Sequence, residues 1–252
     1  MIRFRIKNVI SNRWLRIEWV ILIFLLFRTL WPHFILNPIP PEYDMLSVIT
    51  QPLSLSAVSP FASAFCSFPV SWIFTDEYVD GFSKSALLRT THSNYIRGIL
   101  LETLLIGSMT IAVPYMFLFL FAMIKAGPSS SITLSDYYRD TIWQAMALYN
   151  GGYPVLIGKL LLAILFGWVW ALMGLITSAI SLNRYVGAIV PFIICQTLWA
   201  VLENSKWNPV YLLNGNGPYW NSIGEIVAIQ LSFCVILAIT ANRLLRWRCK
   251  SV

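Results

Sequence analysis

Charge is what this chain has least of. Only 12% of its 252 residues are Asp, Glu, Lys or Arg, against 58% hydrophobic. A soluble domain carries about 25% charged residues, so a water-exposed globular fold is excluded at the outset. Histidine is almost missing: His33 and His92 are the two, in stretches expected on opposite sides of a membrane. There is no HExxH, no GxSxG, no Cys/His cluster and no pair of intramembrane aspartates, so the minimum parts of metallo-, serine and aspartyl intramembrane proteases are absent. No Walker A sequence is present either, and the chain is not expected to hydrolyse ATP or act as an enzyme by itself. Of the four cysteines, Cys66, Cys195 and Cys234 lie in apolar runs and Cys249 in a basic tail, with no CxxC pair. Buried, inert thiols are expected, with palmitoylation of Cys249 the weaker alternative. No metal site and no cofactor of its own is expected. The basic N-terminus lacks a small-residue cleavage site before Arg28, Trp31 and Pro32, which reads as a retained first helix and not a signal peptide.

What the chain does have is long apolar runs and a mean hydropathy of +0.68. A membrane-crossing helix needs roughly 20 mainly apolar residues. Six stretches approach that length, at about 17–36, 56–74, 96–124, 155–181, 185–203 and 223–243. They form one membrane-spanning domain over 1–252: an all-α polytopic protein with six transmembrane helices. Pro114 is the expected kink in the long third stretch. Residues 2–16 read as a short basic helix on the inner surface, with Ile, Phe, Val and Trp on its buried side. The net charge of +7 does not point to nucleic acid, because the cations flank the spans. With both termini cytoplasmic, the inner side holds five Lys/Arg at the N-terminus and three in the first inner loop. Arg184 and four tail residues make thirteen of the 18. The stretch 37–55 carries none, so a plasma-membrane protein with both ends inside is self-consistent.

The outer side has its own features. Ser135 and Gly151-Gly152 bracket Tyr138, Ile142, Ala145, Met146 and Tyr149 on one face of an expected outer interfacial helix. Trp207, Tyr211, Tyr219 and Trp220 form an aromatic belt around a turn at Asn214-Gly215-Asn216-Gly217-Pro218. Within the spans, Arg28 and Glu102 are candidates for a polar pathway or a protein interface, with a structural ion pair as the alternative, and Lys159 for snorkelling. Gly167, Gly174 and Ser178 offer close-packing sites that serve equally within the chain or in a dimer.

Between the second and third stretches lies the polar segment Thr75 to Arg97, the expected cytoplasmic joint, with a coupling segment at 75–95. Thr75 is placed to cap a helix whose first turn holds Asp76 and Glu77. At 100° per residue, Tyr78, Val79, Phe82, Ala86 and Arg89 share a face, and Asp76, Glu77, Asp80 and Lys84 share another. The run Thr90-Thr91-His92-Ser93 then reads as a polar hinge, with Ser93 capping the third span and Tyr95 just inside it. The mixed charge differs from the Lys/Arg-rich helices that bind lipid. A soluble protein partner fits this surface better.

In sequence order, Asp76, Glu77, Gly81, Arg89 and Tyr95 resemble the segment that follows the second span in type-2 permease subunits of ATP-binding-cassette (ABC) transporters. Many members carry a lysine four residues after the tyrosine, where this chain has Ile99 with Arg97 nearby. The resemblance implies a permease subunit of an ATP-driven ABC exporter for a peptide, antibiotic or lipid-like amphiphile. It implies a separate cytoplasmic ABC ATPase that carries the ATP and Mg, and a second permease subunit in a homodimer or heterodimer. Asp76, Glu77, Tyr78, Phe82 and Arg89 would dock the ATPase, and Ser93 and Tyr95 would form the hinge. Spans one and five would face the pathway, bringing in Arg28 and Gln196 beside Glu102. The alternative is a non-transporting assembly, sensor or immunity protein whose joint binds another soluble partner.

Overall fold

The computed structural model describes residues 2–30, 58–125, 142–143, 152–203, 205–215 and 222–250. These form α1 (Ile2–Ser11), α2 (Arg13–Leu30), α3 (Val58–Val79), α4 (Phe82–Arg89), α5 (His92–Lys125), α6 (Gly152–Ser181), α7 (Arg184–Val201), α8 (Pro209–Asn214) and α9 (Ile223–Lys250). No strand occurs among the described residues. Five helices, α3, α5, α6, α7 and α9, are long and apolar enough to cross a membrane. The expected first span, 17–36, is described only to Leu30, as α2, whose 18 residues carry Arg13, Arg16, Glu18 and Arg28. The expected outer helix lies outside the described residues except for Ile142 and Trp143, which are in a turn.

Helix α6 is the axis of the bundle, packed against α3, α5, α7 and α9. In its most apolar stretch 61% of residues are buried, against 17% in α9 and 22% in α7, so those two helices form the outer wall. Small residues allow the close approach. An ideal Cβ on Gly167 would lie 2.1 Å from the Gly107 carbonyl oxygen of α5, and one on Gly174 would lie 2.8 Å from Ser67 Cβ of α3. Gly187 of α7 meets Ser71 and Ser178 in the same way. Lipid tails are as apolar as the helix surfaces, so tight van der Waals contact and interhelical hydrogen bonds replace the hydrophobic drive. The glycines of α6 are thus used inside the chain. Helix α3 contributes a stripe at every fourth residue, Ser59, Ser63, Ser67, Ser71 and Thr75, all buried. Ser67 Oγ donates to Ala188 O of α7 at 3.2 Å.

The helix ends obey local rules. Asn183 Oδ1 accepts from Tyr185 N and Val186 N, which starts α7 two residues after α6 ends. Asn208 caps α8 ahead of Pro209, and Gly215 closes it at φ 66. Asn12 Oδ1 accepts from Trp14 N at 2.9 Å, so the expected single helix 2–16 is two helices with a break at Asn12.

Side-chain contacts place the connections at two ends. Arg5 of α1 reaches Glu77, Arg184 reaches Asp76 at 3.6 Å, and Arg248 Nη2 donates to Ile180 O at 2.7 Å. The joint, the α6–α7 turn and the tail therefore share one end. Trp143, Lys159, Asn214, Lys206 and Glu225 meet at the other: Lys159 Nζ donates to Asn214 O at 3.1 Å, and Lys206 pairs with Glu225 at 3.0 Å. Lys159 is 5% exposed beside the Trp143 ring, which corrects the snorkelling expectation.

If the Gly107–Gly167 crossing holds α5 on α6, Gly167→Val should lower stability in detergent by at least about 1–3 kcal/mol through overpacking. Gly224→Ala, with only Ser222 Oγ at 3.7 Å, should leave it unchanged. Thermal unfolding of the two purified variants checks both.

Candidate functional site: the joint and its buried ion cluster

The joint is not one helix from Thr75. Helix α3 runs on to Val79, and the Thr75 hydroxyl donates back to Ser71 O at 2.8 Å instead of capping a new helix. The break falls at Asp80-Gly81, where Gly81 takes φ 72, a left-handed conformation that glycine adopts without a Cβ clash. Helix α4 follows as eight residues. The break resets the helical register, so Tyr78 and Val79 do not continue the face of Ala86 and Arg89. The next helix starts at His92, and Thr91 Oγ1 accepts from Asn94 N at 3.4 Å, so Thr91 stands at the cap expected of Ser93.

Under this joint lies an ion cluster whose cation comes from the N-terminal helix. Arg5 Nη1 donates to Glu77 Oε1 and, at 2.6 Å, to Glu102 Oε2; Nη2 donates to Glu77 Oε2 at 2.9 Å. The Tyr95 hydroxyl donates to Glu77 Oε2 at 3.0 Å, and the guanidinium carbon sits 5.5 Å from the Tyr95 ring centre. Arg5 and Tyr95 are fully buried, and Glu102 nearly so. Burial alone would lower the Arg5 pKa, but the facing carboxylates of Glu77 and then Glu102 outweigh it and hold the guanidinium above its ordinary value. Val9, Leu15, Phe74, Ile96, Ile99, Leu245 and Cys249 belong with Tyr95 to one buried apolar core beside the cluster. Cys249 is thereby part of the packed core and not an accessible thiol.

The expected site residues separate into three groups. Glu77, Tyr95 and Glu102 are drawn together by Arg5, so Glu102 is at the joint end in an ion pair. Asp76 and Arg89 remain at the surface: Asp76 pairs with Arg184, and Arg89 is exposed. Tyr78 is half-buried, its ring centre 5.9 Å from that of Phe74. The side chain of Phe82 is outside the described residues, and Ser93 is half-buried within α5. Arg28 is exposed on α2, far from the cluster along the helix. The half-buried Gln196 donates Nε2 to Pro60 O, which ties α7 to α3.

Three buried groups were not singled out from the sequence. By sequence Arg5 is one of several flanking cations expected at the inner surface, yet Arg5 and Val9 turn inward while Ile6 and Ile10 are 41% and 59% exposed. Spacing offers a hint, since Arg5 and Val9 are four apart and share a face. Glu18, an acid one residue inside the expected first span, is 4% exposed. Trp143 is fully buried against Gly158 and Gly215, in a stretch whose pattern suggested a surface helix.

No protein-family model, curated protein or solved structure matches the chain.

Removing one member of a buried ion pair leaves its partners charged and unpaired, at about 3–5 kcal/mol. Arg5→Ala should cost that much in thermal unfolding. Combining Arg5→Met with Glu77→Gln and Glu102→Gln should recover most of the loss, because no uncompensated charge remains.

Proposed function

We propose that the chain is the membrane-spanning permease subunit of an ATP-driven ABC exporter, with six spans, both ends cytoplasmic, and energy from a separate ATPase subunit. The observation that carries this reading is the joint. A short helix, α4, stands at the end of the bundle where the arginines of α1, α7 and α9 gather, as the positive-inside rule expects of a cytoplasmic face. It is carried on two long apolar helices whose ends are cross-linked by Arg5. Such an element transmits a push: a partner that moves α4 moves α3 and α5 together. Leu88, 88% exposed, and the neighbouring Arg89 are the outward groups that an ATPase would engage. Tyr78, packed against Phe74, is better placed to support that surface than to form it.

The second permease subunit fits the α2 side. Charge is costly to leave facing lipid, and Arg28, exposed in the last described turn of α2, gives a reason for another protein surface to cover α2. Membrane lipid borders the outer wall, where Ile189, Ile193, Val235, Ile236 and Ile239 are more than half exposed or at half. A peptide, antibiotic or lipid-like amphiphile is the proposed substrate range, carried over from the resemblance.

Purification in mild detergent should bring down a protein with a Walker A sequence and ATPase activity. Leu88→Asp with Arg89→Glu should reduce its recovery at least tenfold while the chain stays inserted. Unchanged recovery would remove α4 from the docking surface. A soluble partner without a nucleotide site would favour the assembly, sensor or immunity reading. Arg28→Leu should lower the cross-linked dimer fraction without loss of insertion, and undiminished dimer would remove Arg28 from the interface.

A further inference from the structure

Helices α2, α3 and α7 enclose a groove of about 480 Å³, within the roughly 300–1,000 Å³ range of small-molecule sites. Its walls are aromatic: Trp14 from α2, Phe61, Phe65 and Phe68 from α3, and Phe192 from α7. Phe61 and Phe192 are stacked with ring centres 5.3 Å apart, and Trp14 meets Phe68 edge-on at 5.7 Å. Among the described residues the sole ionisable side chain lining the groove is Glu18, buried, with Oε2 lacking a hydrogen-bond partner. The neighbouring arginines have other partners: Arg13 lies over the ring of Trp14, itself a wall of the groove, Arg16 donates to Ser11 O, and Arg184 pairs with Asp76. Among the described residues no cation lies within salt-bridge distance of Glu18.

We propose that this groove binds a lipophilic cation, an apolar molecule bearing one ammonium- or phosphonium-type charge, with Glu18 as its counter-ion. A buried carboxyl keeps its charge only when a cation pairs with it, and among the described residues none does. The aromatic faces attract positive charge and repel negative charge through their quadrupoles, so the walls and the carboxyl select the same sign. The apolar area takes the body of the ligand. Glu18 is five residues beyond the start of α2, about 7 Å along the axis at 1.5 Å per residue, so the charge sits near the joint end. Exposed Ile21 and Phe61 leave the groove open on the side of the bundle. A comparable groove of about 350 Å³ between α6, α7, α8 and α9 has no charged lining residue among the described residues. The proposal goes beyond the transport reading and stands without it, because equilibrium binding needs no ATPase.

The test is binding of tetraphenylphosphonium to the purified full chain in detergent, beside tetraphenylborate, which has nearly the same shape and the opposite charge. Saturable phosphonium binding, with borate failing to compete, is the expected result. Glu18→Gln should weaken phosphonium binding at least tenfold, while Glu18→Asp retains selectivity for the cation. Equal binding of the two ions to the wild-type chain would overturn the proposal, as would unchanged affinity in a folded Glu18→Gln variant. So would a cross-link from Ile189→Cys to a second copy together with no phosphonium binding, which would make that copy the occupant.

Discussion

One guanidinium holds the joint end of this molecule together. Arg5 is contributed by a helix outside the membrane-spanning segments, and its two carboxylate partners stand at the end of one long helix and near the start of the next. An unpaired carboxylate would be costly there and so would an unpaired arginine. The three groups are therefore stable only as a set, with Tyr95 adding a third hydrogen bond to Glu77, the fourth of the cluster. The geometry suits arginine better than lysine, since the planar fork reaches both oxygens of Glu77 while one nitrogen also serves Glu102. Because the cluster fixes α3 to α5 below the joint, α4 sits on a braced base instead of a free loop.

A different interaction holds the rest of the bundle. Gly167 of α6 meets Gly107 of α5, Gly174 meets Ser67 of α3, and Ser178 meets Gly187 of α7. On α3 the Ser71 hydroxyl turns back to Phe68 O in its own helix and that of Ser67 reaches across to Ala188 O of α7. Arg248 closes the C-terminal end of α6 by donating to the Ala179 and Ile180 carbonyls, where a cation also suits the helix dipole. Contact of this kind is short-ranged and directional, and it makes α6 a rigid axis. Helices α7 and α9, the least buried of the long apolar helices and with Ile189, Ile193, Ile236 and Ile239 exposed, are left as the outer wall.

Hydropathy made the long helices legible. The stretches expected at 155–181, 185–203 and 96–124 are found as Gly152–Ser181, Arg184–Val201 and His92–Lys125. The last helix runs past its apolar part into the basic tail, because Leu245 and Cys249 still have core to pack against. The joint was legible as a polar break but not as a shape. Its helical face assumed an unbroken run from Thr75, and Gly81 resets the register midway. Arg5 and Glu102 were each visible as charges of interest or as flanking cations, yet they stand 97 positions apart, and nothing local to either one announces the other. Glu18 was hidden by its setting: one acid at the edge of an apolar run resembles an interfacial residue until the packing of α3 and α7 closes over it. The serine stripe on α3 lowered that segment's hydropathy and recorded helix packing, which composition alone does not separate from weaker membrane affinity.

The central claim is that Arg5 braces α4 through α3 and α5. Hydrogen–deuterium exchange of the purified chain, compared with its Arg5→Ala variant, tests it most directly. The account predicts faster exchange across Phe82–Arg89 and the first turns of α5, with Pro209–Asn214 and the start of α9 at the other end unchanged. Exchange across Phe82–Arg89 identical in the two proteins would contradict it.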